Sequence, residues 1–219
     1  MKLKSPTEIN DSISAETRRE LLEAAGEVFA EVGFHNATVR EICRRAGANI
    51  AAVNYHFGDK ETLYTEVLRY SQQKALERYP VLLDVKADAA PEKKLRAYVH
   101  SLLLRILDKG PTAWHGKLMS REMIEPTAAL DSMVEEKFRP LSEQLRSIVA
   151  EILGGKADEA RVRLCSYSVV SQCVFYHHCQ PVILRLDPQQ HFDAAGVEQL
   201  SEHITNFSLA AMKSFRSKK

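Results

Sequence analysis

The tight turn Ala46-Gly47-Ala48, set between two short runs of helical periodicity, constrains the fold of this chain more than any other stretch. Before it, Thr38-Val39-Arg40-Glu41 carries the Thr-x-x-Glu pattern of a capping box, in which a threonine oxygen takes up an orphan backbone N–H and starts a helix. That helix turns Val39, Ile42, Cys43 and Ala46 inward, and Gly47 closes it. After the turn, Asn49 is a good N-cap for a helix from Ile50 to His56, and Phe57-Gly58-Asp59 breaks the chain before the next helix begins near Lys60. Upstream, residues 15–34 read as an amphipathic helix ended by Gly33. Its apolar residues Leu21, Leu22, Ala25, Val28, Phe29 and Val32 lie opposite an acidic stripe of Glu16, Glu20, Glu23, Glu27 and Glu31. Three short helices, two of them joined by a brief turn, make a helix-turn-helix unit, whose second helix is the kind that enters a DNA major groove.

Beyond residue 59 the periodicity stays helical and no strand-like alternation or repeat appears, so the chain is read as all-α. Helices are expected at 60–79, 92–108, 113–123, 127–153, 157–179 and 194–216, with breaks at Pro80 to Pro91, Gly110-Pro111, Pro126, Gly154-Gly155 and Gln180 to Gln190. Pro140 is expected to kink or split the helix over 127–153. The expected division is an amino-terminal three-helix DNA-binding domain, 1–58, and a larger helical ligand-binding and dimerisation domain, 59–219.

Composition excludes other classes. Hydrophobic residues at 45% and charged residues at 27% are ordinary for a globular chain, no run is apolar enough to span a bilayer, and the opening MKLKSPTEINDSIS lacks an apolar signal core. These readings point to the cytoplasm, with no membrane partner. Cys43, Cys165, Cys173 and Cys179 form no CxxC pair, so neither a disulfide framework nor a zinc ribbon is expected, and no cofactor is expected. The net charge of +1 is low for a DNA binder, but Arg40, Arg44, Arg45 and Lys60 gather just past the acidic stripe, where one basic face can form.

The helix at 157–179 has almost no polar face, and Val197, Leu200, Ile204, Phe207, Ala211 and Phe215 form a stripe on the last helix. Such a pair suits a homodimer built through a four-helix bundle, the alternative being that both fill a monomer core. Trp114, His115, Met119, Met123, Phe138, Tyr167, Phe175, Tyr176 and His177 supply the aromatic and soft side chains of an adaptable pocket for a small-molecule effector, or else simply core. Arg121 and Glu122 are candidate polar anchors for it, with surface ion pairs as the alternative. Cys173 and His177, four residues apart on one helix face and followed by His178-Cys179, allow a metal- or thiol-responsive reading, although a metal site needs three or four ligands. A helical-bundle enzyme using Glu122, Glu125, His177 and His178 has no Glu-x-x-His pair, phosphate loop or nucleophile elbow from which to assemble a reaction.

From about Thr17 to Leu63 the chain resembles the DNA-binding domain of the TetR family, through Ala24-Ala25, Phe29-Ala30, Gly33-Phe34, Ala37-Thr38-Val39-Arg40-Glu41-Ile42, Ala46-Gly47-Ala48 and Val53-Asn54-Tyr55-His56-Phe57-Gly58-Asp59-Lys60-Glu61-Thr62-Leu63. Phe138-Arg139-Pro140-Leu141 and the run Ser168 to Tyr176 look like the ligand domain of the CecR-type subgroup. The resemblance implies a repressor that binds a palindromic double-stranded DNA operator as a dimer and is released by a small molecule. On this reading Asn49, Ile50, Ala51 and Asn54 face base edges, the apolar pair toward thymine methyls and Asn54 toward adenine. Thr38, Arg44 and Arg45 contact the phosphate backbone near the turn, and the resemblance places Tyr55, His56 and Lys60 at phosphate from the exit of the reading helix.

Overall fold

A computed structural model describes residues 6–108, 114–154 and 157–215, with side chains from residue 13 onward. The regular structure in these residues is helical: α1 (Pro6–Asn36), α2 (Val39–Ala46), α3 (Ile50–Phe57), α4 (Lys60–Arg78), α5 (Pro91–Leu107), α6 (Trp114–Ile124), α7 (Ala129–Met133), a π-helical turn Val134–Phe138, α8 (Arg139–Leu153), α9 (Glu159–His178), α10 (Gln180–Leu186) and α11 (Ala194–Phe215). The breaks expected at Gly110-Pro111 and Gly155 lie outside the described residues, as do residues 1–5 of the opening stretch.

Helix ends follow local chemistry. Thr38 Oγ1 accepts from Glu41 N at 3.2 Å and Asn49 Oδ1 from Ala52 N at 2.9 Å, the expected caps of α2 and α3. Gly47 takes the left-handed conformation (φ 63°) that ends α2. Two departures from expectation, in α1 and at Pro181, have physical reasons, and the split expected at Pro140 is present. α1 begins at Pro6 rather than 15, and Gly33 (φ 80°, ψ 168°) breaks it internally before Asn36. Pro140 sits in the first turn of α8, where a missing N–H costs nothing, and the wide turn Val134–Phe138 ahead of it accommodates the ring that a regular i−4 carbonyl would strike. Pro181 likewise opens α10, inside the stretch expected to be a break.

The chain packs as two compact units. One unit comprises Met1–Lys74 with Pro111–Met133, the other Ala75–Gly110 with Val134–Lys219, so α6 and α7 belong with the helix-turn-helix. In the first unit Leu21, Leu22, Ala25, Val28 and Phe29 of α1 are buried, and α2, α3 and α6 pack on that helix. α6 approaches closely because Gly26 has no side chain: a Cβ there would stand 2.4 Å from Cη2 and Cζ3 of Trp114. Arg121 then caps the end of α1's regular portion, donating from Nε to Ala30 O at 2.9 Å and from Nη2 to Glu31 O at 2.7 Å. Glu122 is fully buried, accepting from Tyr64 Oη at 2.6 Å and from Thr127 N and Oγ1 at 2.8 and 3.0 Å. Tyr64 meets Phe29 edge-on, ring centroids 4.8 Å apart.

The second unit has its own core, with Leu95, Val99 and Leu103 of α5, Leu145, Val149 and Ile152 of α8, Val169 and Cys173 of α9, and Val197, Leu200 and Ile204 of α11. Arg161 lies over the Phe215 ring at 4.5 Å and Gln172 Nε2 donates to Ser208 Oγ at 3.2 Å, so α9 and α11 run antiparallel. The apolar stripe of α11 is split between two tasks: Val197, Leu200 and Ile204 fill the chain's own core, while Phe207 is 62% exposed and Phe215 lies outside with it. α9 divides the same way, turning Val169 and Cys173 inward and Leu164, Tyr167 and Phe175 outward.

Candidate nucleic-acid interface and sensory residues

α3 is held by one face. Val53 and Phe57 are buried, whereas Asn49, Ile50, Ala51, Asn54 and Tyr55 are exposed together, Ile50 at 52% and Tyr55 at 80%. The two outward large residues, Ile50 and Tyr55, stay exposed at a cost in hydrophobic burial. Asn49 spends its side-chain oxygen on the cap and keeps its amide N–H groups outward. Asn54, one turn after Ile50, has both amide functions available on the same face. His56 is half-buried and edge-on to Tyr55, ring centroids 4.9 Å apart.

The cations are placed differently from the expectation. Lys60 turns inward: its Nζ donates to Phe34 O at 3.1 Å and Ala37 O at 3.2 Å and sits 4.5 Å from the centre of the Phe34 ring. It satisfies carbonyls left open after the Gly33 break, so in the free chain its ammonium is engaged at the end of α1 rather than held out from the exit of α3. Arg44 makes a double hydrogen bond to Glu41, from Nε at 2.8 Å and Nη2 at 2.7 Å. Arg45 bonds Glu41 at 2.9 Å and grips Glu31 through Nη1 at 2.9 Å and Nη2 at 2.6 Å, pinning α2 to α1. Hydrogen bonds from Arg44 and Arg45 hold the Glu41 carboxyl down at about 2, and the Arg45 hydrogen bond lowers Glu31 as well. Both arginines are thus largely neutralised locally. Arg40, exposed in the first turn of α2 and named with the expected basic face, has no carboxylate partner among the described residues, since no glutamate lies one turn away from it. Thr38 is exposed at the positive end of α2, its hydroxyl already used in capping.

Of the expected effector residues, Trp114, His115, Met119 and Met123 belong to the first unit and Phe138, Tyr167, Phe175, Tyr176 and His177 to the second. Trp114 and His115 are buried and Met119 half-buried on α6, with Met123 exposed. Phe138 and His177 are half-buried, Tyr176 packs partly against the second unit's core, and Tyr167 and Phe175 lie on the exposed side of α9. Trp114 is spent on Gly26, and the anchors Arg121 and Glu122 are spent on the carbonyls of α1 and on Tyr64 and Thr127, so these act as pins within the first unit. A shallow groove of about 410 Å³ runs along α11, lined by Gln199, Glu202, His203, Asn206 and Phe207. Cys173 is fully buried and burial pushes its thiol up to about 12, which keeps it protonated and unreactive. No group of three or more His, Cys, Asp or Glu side chains suited to a metal occurs among the described residues, and no helix among them is long and apolar enough to cross a membrane.

A capped turn between α2 and α3, with α3 exposing a mixed polar and apolar face from a closed bundle, defines a helix-turn-helix DNA-binding regulator. Residues 21–67 match the family described as bacterial regulatory proteins, tetR family, and residues 91–212 match the C-terminal domain of HTH-type transcriptional dual regulator CecR. The chain belongs to the TetR family of DNA-binding transcription regulators, with a CecR-type C-terminal domain. Among its relatives is the HTH-type transcriptional dual regulator CecR of Shigella flexneri, 29% identical over 87% of this chain and 88% of that protein. The HTH-type transcriptional regulator UidR of Escherichia coli K12 is 36% identical over 29% of this chain and 32% of its own. The fold is shared with the TetR family regulator PfmR from Thermus thermophilus (TM-score 0.62, 19% identity, 86% of this chain and 93% of that one). It is shared also with AibR in complex with isovaleryl coenzyme A and operator DNA (TM-score 0.67, 16% identity, 87% and 97%). The family consists of regulators rather than enzymes, which disposes of the bundle-enzyme reading.

Proposed function

We propose that this regulator is a cytoplasmic repressor that binds a palindromic operator as a homodimer and leaves it when a small effector with an apolar body enters the larger domain. Residues 1–58 read DNA on this view, and residues 59–219 sense and dimerise. The observation that carries the reading is the outward face of α3, where Asn49, Ile50, Ala51, Asn54 and Tyr55 stand together on a helix anchored by Val53 and Phe57. Base edges are met by Asn49, Ile50, Ala51 and Asn54, and phosphates by Thr38, Arg40, Tyr55 and His56, with Arg44 and Arg45 contributing only what Glu41 and Glu31 leave. Lys60 supports the end of α1.

Dimerisation is assigned to the outer sides of α9 and α11, where Leu164, Tyr167 and Phe207 are each more than half exposed and Phe215 nearly so. Because these helices are antiparallel neighbours, their outward residues share one surface, and two copies related by a twofold axis bury it as a four-helix bundle. Release by a ligand is supported by the shared fold with AibR, which was solved with isovaleryl coenzyme A and operator DNA. Footprinting on the DNA adjoining the chain's own coding region tests the whole reading. Protection of two inverted half-sites about 34–36 Å apart, or a multiple of that, is expected, and absence of sequence-specific protection refutes it.

A further inference from the structure

One guanidinium of the second unit faces no carboxylate among the described residues. Arg105 on α5 is half-buried, and burial pulls its pKa below the usual arginine value, with only the Tyr98 phenol and the Cys173 thiol near enough to favour its charge. Burial pushes both of those up to about 12, so neither supplies an anion at neutral pH. Arg105 Nη1 donates to two neutral acceptors, Tyr79 O at 3.1 Å and Ser101 Oγ at 2.8 Å, and fully buried Ser101 donates to the same carbonyl at 3.0 Å. Among the described residues no carboxylate pairs with it. The Tyr79 carbonyl follows the last residue of α4 and carries the partial negative charge of a helix end, which offsets part of a full positive charge. Arg146 on α8 repeats the pattern in the same unit, its Nε buried without a hydrogen-bond partner.

Desolvated cations are normally paired, because the cost of removing them from water is recovered only against an opposite charge. The two groups that Arg105 meets electrostatically, Tyr98 and Cys173, both belong to the unit's apolar core, as do its helix neighbours Leu103 and Leu107, with Leu104 and Ile106 packed partly against that core. A half-buried guanidinium without an anion, at the edge of an apolar core, fits a molecule with a carboxylate head and an apolar body.

We propose that Arg105 anchors the carboxylate of a small amphipathic effector, whose apolar part lies along α5 and α9. This rests on the reading of residues 59–219 as the sensory domain and adds the chemical class of its ligand. A carboxylate that takes the guanidinium withdraws it from Tyr79 O and uncaps the carboxy-terminal end of α4. Only Gly58 and Asp59 separate the start of that helix from α3, so the anchor gives binding a route along the chain to the reading helix.

The test uses the full-length protein, sodium carboxylates from butanoate to decanoate, and the amide of each as a neutral twin, with dissociation constants from calorimetry. At least one carboxylate should bind saturably and about tenfold or more tightly than its amide, and Arg105→Gln should abolish that preference. Equal binding of acid and amide, no binding by any acid, or an undiminished preference in a folded Arg105→Gln overturns the proposal. Should Arg105→Gln fail to fold, Arg105→Lys, which keeps the charge but not the planar fork, decides: a preference that falls severalfold supports the anchor and an unchanged one overturns it. Operator titration on the same samples separates this from the broader reading, since an acid that binds through Arg105 without weakening operator affinity upholds the anchor and refutes ligand release.

Discussion

Replacing Gly26 by alanine tests whether α6 is docked on α1 through Trp114. In an unobstructed helix this change stabilises by about 0.5–1 kcal/mol, because glycine loses more backbone entropy than alanine on folding. Here the new Cβ would stand 2.4 Å from Cη2 and Cζ3 of Trp114 and 2.7 Å from Cε3, all ring atoms of a buried side chain with no flexible end to swing aside. Overpacking of that kind costs about 1–3 kcal/mol. The net expectation is a loss of roughly 0.5–2 kcal/mol, opposite in sign to the helix-propensity effect. Trp114→Leu removes the obstructing ring and reverses the outcome: in that background Gly26→Ala should stabilise by about 0.5–1 kcal/mol. The four proteins form a double-mutant cycle with a coupling of about 1–3 kcal/mol. Urea unfolding followed by circular dichroism is the suitable assay, since Trp114 is the chain's one tryptophan and fluorescence would be lost with it. A Gly26→Ala protein more stable than wild type, by the same amount in both backgrounds, would refute the docking and return Trp114 to the candidate effector pocket.

Lys60→Met should lower stability by about 1–2 kcal/mol, since two carbonyls at the end of α1 lose their donor. It should leave the salt slope of DNA binding unchanged; a slope reduced by about one with no change in melting temperature would make Lys60 a phosphate clamp after all. Glu41 is held at about 2 against an ordinary value of 4.5, so the stability it contributes is complete above about pH 4.5 and lost as pH falls toward 2. Glu41→Gln should therefore flatten that part of the acid-unfolding profile, and an identical profile in the two proteins contradicts the assignment. Phe207→Glu should give a folded monomer by sedimentation, with weakened operator affinity, because Phe207 is exposed in the single chain and the proposed dimer covers it with a second copy. An unchanged sedimentation coefficient removes α11 from the interface.

What was legible in the sequence was whatever local chemistry decides. Thr38, Asn49 and Gly47 each act on their own neighbours within three or four residues, so the caps and the turn of the reading unit could be placed without any tertiary information. Long-range pairing was not legible. Lys60 reads as an exposed lysine at the start of a helix until the Gly33 break brings two open carbonyls to it from more than twenty residues away. Trp114, Arg121 and Glu122 read as pocket residues because their partners Gly26, Ala30 and Tyr64 lie on helices far off in sequence. The stripe from Val197 to Phe215 has one periodicity but two destinations, core and surface, because a wide apolar face on α11 serves its own chain and leaves Phe207 and Phe215 outside. Nothing in the sequence singles out Arg105, since an arginine at a helix end is ordinary and only its burial without a carboxylate sets it apart.

The most direct test of the central claim, that the outward face of α3 reads DNA sequence, is the affinity of Asn54→Ala for its operator and for a scrambled duplex of equal length and charge. Asn54 is exposed, sits one turn after Ile50 and bears on no packing contact of the bundle, so its loss should leave the fold intact. The account predicts a cost of roughly 1–3 kcal/mol on the operator and little change on the scrambled duplex, with the same salt slope as wild type. Equal weakening on both duplexes, or none on either, would contradict it.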